Sequence, residues 1–600
     1  MINTISDIHH QFASFFKDKD LQPWAWYLSK RLAEGHICIA VNDGSINEAG
    51  HPFLIQADPT SLSKAIQYVS TDPDRSAPFI LHDNKLYLHR YFTYETIIVT
   101  ELKKRFARSA ENQSIYKEKL AAHKELIKEM VGTLPKKELQ PDQRPDWQLL
   151  AVINSLRNSF SIITGGPGTG KTTTLAKLLR LIYTLDPNSR VALAAPTGKA
   201  SMRMADSLKG KAEDYPDQVR EAIQKLIPFT LHRLLGSKKN STYFKHNQQT
   251  PLPYDWVIVD EASMIDVPLF AKLLMGCNEH TRLVLLGDKD QLASVEAGTL
   301  LCDICEAAGK LNYYSAAEIE WLNSFIPNME RKIPTEFTGH TPSALTHCIT
   351  ELRLSHRFEQ DDQIGQLSRA IILGNTNLVR ELLNNTDQKQ LVHIENNNDR
   401  YFTEFVSGYE SFLKEKDIFK ALQKLNDLRV LVAVREGDNG LYKINKKIER
   451  TLQDLYPKLI KPDTGFYNNR PIIVTKNNYE LGLFNGDIGI VRPHPTTKRP
   501  AIWFEDTTQP GTVRAINPAF LNHCETVFAM TIHKSQGSEF EQVMLVLPDQ
   551  QDSPLLCREL LYTGVTRAKK KVCICGAIET LEKGMSKQVQ RISGLQSRLI

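Results

Sequence analysis

The run Gly165-Gly166-Pro167-Gly168-Thr169-Gly170-Lys171-Thr172 has the spacing GxxxxGK[ST], and that spacing wraps phosphates. Its glycines let successive backbone N–H groups turn inward around an anion, and the helix that follows adds the positive end of its dipole. Lys171 reaches for the β- and γ-oxygens as a point charge, and the Thr172 hydroxyl can ligate Mg²⁺, with Thr173 beside it in the first turn. Both flanks fit: the apolar run SFSIIT precedes the loop and the helix-capable TTLAKLLRLIYTL follows it. A glycine-rich loop that binds no nucleotide is the plain alternative, and the two flanks argue against it. Further along, the strand-like WVIVD ends in Asp260-Glu261. Asp260 is suited to hold Mg²⁺ through water and Glu261 to position and deprotonate an attacking water. An Asp-Glu helix cap would be commonplace alone; after a phosphate loop the catalytic reading outweighs it. A third apolar run, RLVLLGD, leads to Gln291, a residue able to hydrogen-bond a γ-phosphate. Together these residues imply hydrolysis of ATP with Mg²⁺, without saying what the hydrolysis drives.

Chemistry at strand ends needs strands. From 148 to 308 short apolar runs (SFSIITGG, RVALAAPT, WVIVDEA, TRLVLLGD) alternate with helix-capable stretches, the pattern of a parallel sheet with crossover helices. Residues 309–350 are irregular and contain proline, which predicts an insertion. A second alternating region begins near 351. It is interrupted at about 466–525 by PIIVTK, DIGIVR, AIWFED and TVRAI, with the turn signal Asn485-Gly486, and this predicts a small inserted β-barrel. Residues 238–250, KKNSTYFKHNQQT, could form a short β-hairpin. Residues 1–100 hold apolar runs but no chemical motif. A charged, Lys/Glu/Ala-rich stretch at 101–130 reads as a solvated connecting helix, and LPKKELQPDQRPDW breaks it. The expected α/β division is 1–110 as a separate N-terminal domain, 111–145 as a linker, 146–350 as a first sheet domain and 351–600 as a second.

The chain carries 74 Lys+Arg against 69 Asp+Glu, a net charge of +5 over 600 residues. A nucleic-acid site must therefore be a local groove, not a global polycation. No apolar run is long enough for a membrane helix. The first residues lack the basic start and apolar stretch of a secretory signal. Nine cysteines, an odd and low count, fit a reducing cytoplasm. Cys302/Cys305 and Cys573/Cys575 have no second ligand pair nearby, and the 17 histidines show no HExxH, so no transition-metal site is expected.

What the hydrolysis drives is suggested by resemblance. GGPGTGKT, APTGKA (195–200), TLHRLLG (230–236), DEASMID (260–266), GDKDQLASV (287–295), AMTIHKSQGSEF (529–540) and LLYTGVTRAKKKV (560–572) resemble, in order, the motif set of superfamily one DNA helicases. With LGLFNGDIGI added, the set is similar to the RecD family, the alpha subunits of bacterial exodeoxyribonuclease V (RecBCD) complexes. The resemblance implies two RecA-like motor domains, an SH3-like barrel insertion, 5′→3′ movement and work on double-strand DNA ends in repair. It also implies a heterotrimer with RecB-like and RecC-like chains, the nuclease site lying on a partner. By matching position, Arg567 and Arg357 resemble the arginines that reach the γ-phosphate from the second motor domain, a role that suits a permanent, forked charge. Gln148 resembles an adenine-contacting glutamine, and Gly537 and Glu539 lie near nucleotide and DNA. Thr197, Thr230, His232 and Thr531 are candidates for DNA-backbone contacts, with ordinary caps or turns as the alternative. The hairpin at 238–250 would correspond to a strand-separating pin. Trp24, Trp26, Tyr27, Tyr91, Phe92 and Tyr94 offer anchors for a RecC-like partner on the N-terminal domain, unless they fill that domain's own core.

A stand-alone, long-form RecD-like helicase is the near alternative. A nucleotide kinase would not need Arg567 so far from the loop, and a non-catalytic ATP-gated scaffold would show no DNA-stimulated turnover. Lys171→Gln should lower ATP hydrolysis at least about a hundredfold, since such charge contacts are worth about 2.7–4 kcal/mol, while the fold survives. Retention of more than about a tenth of wild-type turnover would remove the phosphate-site assignment.

Overall fold

Phe160–Gly165 and Arg282–Gly287 are buried at every position. Continuous burial of this kind belongs to strands of a parallel sheet covered on both faces. Their side chains alternate: Phe160, Ile162, Leu283 and Leu285 enter one apolar core and Ile163, Val284 and Leu286 the other, as the two-residue period of a strand requires. The structure is a computed structural model and describes residues 7–600 except 42–61, 63, 135–138, 239–240, 295, 340–344, 358–362, 386–389, 396–398, 463–464, 479, 507–508, 510, 551–552 and 554.

The first sheet has six parallel strands in the order Ile349–Leu352, Phe160–Gly165, Arg282–Gly287, Trp256–Val259, Val191–Ala195, Pro228–Thr230. The order sets side by side the C-terminal ends of the strands that lead to Lys171, Asp288 and Asp260. The second sheet has five parallel strands in the order Leu391–Ile394, Ala568–Cys575, Phe540–Val546, Leu428–Val432, Ala529–Thr531. Between helix Leu441–Leu455 and strand Ala529–Thr531 the chain forms a separate five-stranded antiparallel sheet, ordered Val513–Ile516, Pro500–Glu505, Ile488–Pro493, Pro471–Val474, Cys524–Thr526.

Three expectations need correction. The stretch 309–350 is not merely an insertion. It carries helix Ala316–Asn323 and returns in Ile349–Leu352, an edge strand beside the phosphate-loop strand, so a break at 350/351 would cut the first sheet. A break at 110/111 falls inside one helix, His89–Ala122. That helix is no solvated linker over its first half: Ile98 and Leu102 are fully buried against the first sheet's core, the Arg105 guanidinium donates to the Thr281 carbonyl, and the Ser159 N–H donates to Ser109 Oγ at 2.9 Å. Among the described residues around 238–250, the backbone makes one antiparallel bridge, Ser237 with Phe244, and no strand. Residues 239–240 of the expected hairpin lie outside the described residues.

The N-terminal region has helices Ile8–Ser14 and Gln22–Ala33 and a four-stranded sheet. Trp24 and Trp26 are fully buried in its own core with Phe16, Phe79 and Leu86, while Phe92 is buried and Tyr91 and Tyr94 half-buried against the first sheet domain's core. Among the described residues no helix is long and apolar enough to cross a membrane.

Beyond helix Ile578–Ser586 the chain leaves the second sheet and crosses back. Arg591 Nη1 donates to the carbonyls of Ser294, Glu296 and Gly298 at 2.8–3.0 Å. The Ile592 N–H donates to His36 Nδ1, its carbonyl accepts from the Ile37 N–H, and the Gly594 N–H donates to the buried Glu95 carboxylate, each at 2.9 Å. Leu595 and Leu599 then enter the first core. This tail ties the second sheet domain to the first and to the N-terminal region. Leu595→Ala should therefore cost about 2–5 kcal/mol, read as a lowered urea midpoint, whereas Ile600→Ala, at an exposed position, should change it little. Equal effects would mean the tail is not docked.

Candidate active site

The phosphate loop turns through left-handed backbone at Gly168 and Gly170, φ +74° and +85°. A side chain at 170 would fall 2.2 Å from Gln148 Nε2, and one at 168 would fall 2.3 Å from Arg357 Cβ. Glycine is demanded there by both conformation and space. Gln148 Nε2 donates to the Thr169 carbonyl at 3.1 Å, so the glutamine also braces the loop. Lys171 Nζ donates to the carbonyls of Gly165 and Gly166 at 2.7 and 3.2 Å. These neutral acceptors lie where an incoming phosphate would outbid them.

Asp260 and Glu261 follow directly on strand Trp256–Val259. Desolvation and the neighbouring Glu261 carboxylate push Asp260 up to about 6, against the pull of the Glu261 N–H, Lys171 and Arg203. Glu261 has φ +54°, a conformation that costs a non-glycine residue about 1–3 kcal/mol and collects at functional sites. Gln291 is buried; its Nε2 donates to Asp288 Oδ2 at 3.2 Å, and among the described residues its Oε1 has no hydrogen-bond partner.

The second sheet domain closes the site. The Tyr562 hydroxyl donates to Asp288 Oδ2 at 2.9 Å, the Leu292 N–H to Thr563 Oγ1 at 3.0 Å, and Gln536 Nε2 to the Leu292 carbonyl at 2.7 Å. The Arg567 guanidinium is buried, donating to the carbonyls of Thr563 and Ser538 at 3.1 and 3.2 Å. Arg357, expected on the second motor domain, instead stands just past the first sheet's edge strand Ile349–Leu352, where the adjacent His356 N–H donates to the Gly168 carbonyl at 2.8 Å; its Nη2 donates to Glu539 Oε1, and Arg203 Nη2 pairs with Glu539 Oε2, both at 2.5 Å. Burial alone would raise Glu539, but Arg203 and Arg357 outweigh it and hold the carboxyl at about 2.

The structure thus gathers fourteen of the sequence-predicted residues around one cleft of about 720 Å³: Gln148, Pro167, Gly168, Gly170, Lys171, Thr172, Thr173, Asp260, Glu261, Gln291, Arg357, Gly537, Glu539 and Arg567. Gly165, Gly166 and Thr169 sit on the far side of the loop, facing an adjoining cavity. The four residues expected at DNA lie outside the cleft lining. Thr197 and Thr230 cap helices Gly198–Lys211 and Leu231–Leu235 by accepting from the N–H groups of Ala200 and Arg233 at 3.2 Å. Thr531 is buried and accepts from the Lys534 N–H at 3.4 Å. His232 lies edge-on to Phe244, 5.7 Å between ring centres. Arg203, Asp288 and Tyr562 belong to the site but were missed. Arg203 follows APTGKA on the same helix, Asp288 stands between the apolar run and Gln291, and Tyr562 lies inside the segment that gave Arg567; only their cross-domain contacts mark them out.

Residues 148–297 match the AAA domain family and 526–575 the UvrD-like helicase C-terminal domain. The chain is 32% identical over 556 residues to the RecBCD enzyme subunit RecD of Haemophilus influenzae, covering 87% of this chain and 82% of that protein. With the RecBCD enzyme subunit RecD of Mycobacterium tuberculosis it shares 33% identity over 584 residues, 95% and 89% of the two chains. The ATP-dependent RecD2 DNA helicase of Deinococcus radiodurans is 27% identical over 71% of this chain and 48% of its own length. Among solved structures, a Bacteroides Pif1 helicase with ADP-AlF3 and single-stranded DNA aligns over 70% of this chain and 90% of that chain, with a TM-score of 0.35 and 15% identity.

Asp260, at about 6 in the fold against an ordinary 3.8, binds its proton more tightly folded than unfolded. Its charge therefore costs stability in full above pH 6, and the cost fades as pH falls towards 4. Asp260→Asn should stabilise the nucleotide-free protein at pH 8 and lose that gain near pH 4, while abolishing turnover. Thermal melts at the two pH values decide it; a variant less stable at pH 8 would contradict the raised value.

Proposed function

The chain belongs to the RecD family and is a DNA helicase with ATPase activity, and from that premise we propose that it is the 5′→3′ motor subunit of a RecBCD-type helicase–nuclease. Its substrate in this reading is a double-strand DNA end in recombinational repair, and its partners are RecB-like and RecC-like chains, one of which carries the nuclease site. The observation that carries the motor part is the single cleft in which the phosphate loop, on one parallel sheet, faces Arg567 and Glu539 on the other.

Two features support a Mg²⁺ site. Asp260 and Thr172 offer a carboxylate and a hydroxyl, the hard oxygen donors that Mg²⁺ prefers, and the partnerless Gln291 Oε1 stands in the same cleft. Bound there, Mg²⁺ would neutralise charge on the β- and γ-phosphates. The chain's own residues do the rest. Lys171 exchanges its two carbonyl acceptors for phosphate oxygens, and the loop N–H groups and helix Lys171–Leu185 hold the remaining charge. Glu261 orients the attacking water and takes its proton. Arg357 and Arg567 stabilise the charge that develops on the γ-phosphate, and because Arg567 moves with the second sheet, hydrolysis alters how the two sheets meet. A DNA strand lying across both sheet domains would then be stepped along by its backbone, read without regard to sequence. Thr197, Thr230, His232 and Thr531 remain the proposed contacts, with the hydroxyls serving as caps at the same time.

The antiparallel sheet within 466–525 is read as the SH3-like barrel, and the N-terminal region as the partner-docking domain. Its boundary is better drawn near 88 than near 110, because helix His89–Ala122 belongs to the motor's packing. Since Trp24 and Trp26 are consumed by that domain's own core, docking would use its outer surface, where Ile8 and Phe15 are exposed.

The test joins an ATPase assay with and without single-stranded DNA, unwinding of duplexes bearing one 5′ or one 3′ overhang, and affinity purification from the source cell. DNA-stimulated turnover, unwinding from the 5′ overhang and two co-purifying chains are expected. Unwinding from the 3′ overhang alone would overturn the polarity. A chain fully active with no stable partners would instead be a stand-alone helicase.

A further inference from the structure

Three arginines from three separate stretches of the chain end on one tripeptide. Arg203 Nη1 donates to the Gly537 carbonyl at 3.2 Å, Arg567 Nη1 donates to the Ser538 carbonyl at 3.2 Å, and the Glu539 carboxylate takes Arg203 and Arg357 on its two oxygens at 2.5 Å each. The tripeptide turns through left-handed backbone at Gly537, φ +70°, and follows the segment 529–536, which contains Thr531. Arg203 stands on helix Gly198–Lys211, which opens at Thr197. Arg203 and Glu539 thus tie the first sheet domain to the second across the cleft. Arg357 Nη1 is buried and, among the described residues, has no hydrogen-bond partner. Arg357 is a half-buried side chain whose Nη2 is paired while its buried Nη1 is not, an arrangement incomplete without a further acceptor.

We propose that Glu539 is a positioning residue that parks Arg357 away from the γ-phosphate and releases it only when a bound triphosphate competes for the guanidinium. The proposal deepens the motor reading above and rests on it. The chemistry is a competition between anions. Glu539 is a single carboxylate, shared between two arginines. A γ-phosphate carries more charge and three acceptor oxygens, and it can fill the empty Nη1 as well as take over Nη2. ADP offers no γ-phosphate and leaves Arg357 on Glu539. Arg203 sets the balance: while it holds one carboxylate oxygen it weakens the grip of Glu539 on Arg357 and keeps the carboxylate attached to the first sheet. Because the carboxylate belongs to the stretch that continues from 529–536, DNA seated on that segment would shift Glu539 and alter the release. Turnover without DNA is then held low by the parked arginine, not by a missing catalytic group.

The measurement is equilibrium binding of β,γ-imido ATP and of ADP to the full chain, together with ATPase kinetics with and without single-stranded DNA. For Glu539→Gln the ATP analogue should bind at least about tenfold more tightly, since a charge-assisted bond to a competing group is removed. ADP affinity should change less than about threefold, and DNA-free kcat/KM should rise while the ratio of DNA-stimulated to DNA-free turnover falls. Arg203→Gln, which leaves Glu539 to Arg357 alone, should do the reverse, weakening the ATP analogue and sparing ADP. It also serves if Glu539→Gln does not fold. The double variant should resemble Glu539→Gln. Weaker or unchanged binding of the ATP analogue by Glu539→Gln, or equal changes for ATP and ADP, would make Glu539 an ordinary nucleotide ligand or a purely structural ion pair and overturn the proposal. A wild-type chain with no DNA-stimulated turnover would instead remove the motor reading, while the binding comparison would still decide the parking role.

Discussion

Lys171, Arg203, Arg357 and Arg567 face Asp260, Glu261 and Glu539 within a single cleft, with Asp288 buried beside Gln291 and Tyr562, and the rest of the structure keeps those opposed charges close without letting them neutralise one another completely. Charges brought this close in water would be screened and would hydrate separately. In a half-buried cleft they cannot, and each is held by a particular neighbour: Lys171 by two loop carbonyls, Glu539 by two arginines, Asp288 by the Tyr562 hydroxyl and the Gln291 amide. Most of these partners are weaker than a polyphosphate. In the proposed motor reading, such an arrangement would hold without nucleotide and rearrange with it.

Such poise requires that the backbone carrying the charges not collapse around them. Parallel sheets supply that rigidity. Every residue of the strand before the phosphate loop is buried, and the strand is flanked on one side by Arg282–Gly287 and on the other by Ile349–Leu352. The loop's close contact with Leu352, whose carbonyl would lie 2.9 Å from a Cβ at Gly165, shows how far the edge strand shapes the site. The chain's last residues add a second restraint. Arg591, Ile592 and Gly594 fasten the second sheet domain's outgoing chain to the first domain and to the N-terminal region. Relative movement of the sheets must therefore bend this tail or pivot about it.

Much of the site was legible because it obeys local rules. The phosphate loop combines a glycine pattern with an apolar strand before it and an amphipathic helix after it, and Asp260 and Gln291 follow apolar runs that only a parallel sheet would use. What escaped had no local signature. Ile349–Leu352 is four residues, ITEL, too short and too mixed to be read as a strand until Phe160–Gly165 pairs with it. Helix His89–Ala122 has interleaved charges that read as solvated, yet its apolar stripe through Ile98 and Leu102 is covered by the first sheet domain. Arg203 is one basic residue on an amphipathic helix, and only the approach of Glu539, more than three hundred residues away in the chain, gives it a role. The N-terminal aromatics show a different limit: residue type alone left both a docking surface and the domain's own core open to them, and Trp24 and Trp26 fill the core.

The departures from good packing and pairing are unevenly distributed. A left-handed Glu261, a carboxyl at Asp260 raised by burial, a partnerless Gln291 Oε1 and an empty Arg357 Nη1 all line the one cleft. Each is a local cost, and in a chain whose stability is a small difference between large opposing quantities such costs persist where something depends on them. Three of the four share a property: a polyphosphate with its cation would relieve them, by partnering the carboxyl, the amide oxygen and the guanidinium. In the proposed motor cycle the free energy held in these unsatisfied groups would be returned when nucleotide binds. Binding would then reorganise the contacts between two otherwise rigid sheets, and loss of the γ-phosphate would restore the strained, nucleotide-free arrangement from which the next cycle starts.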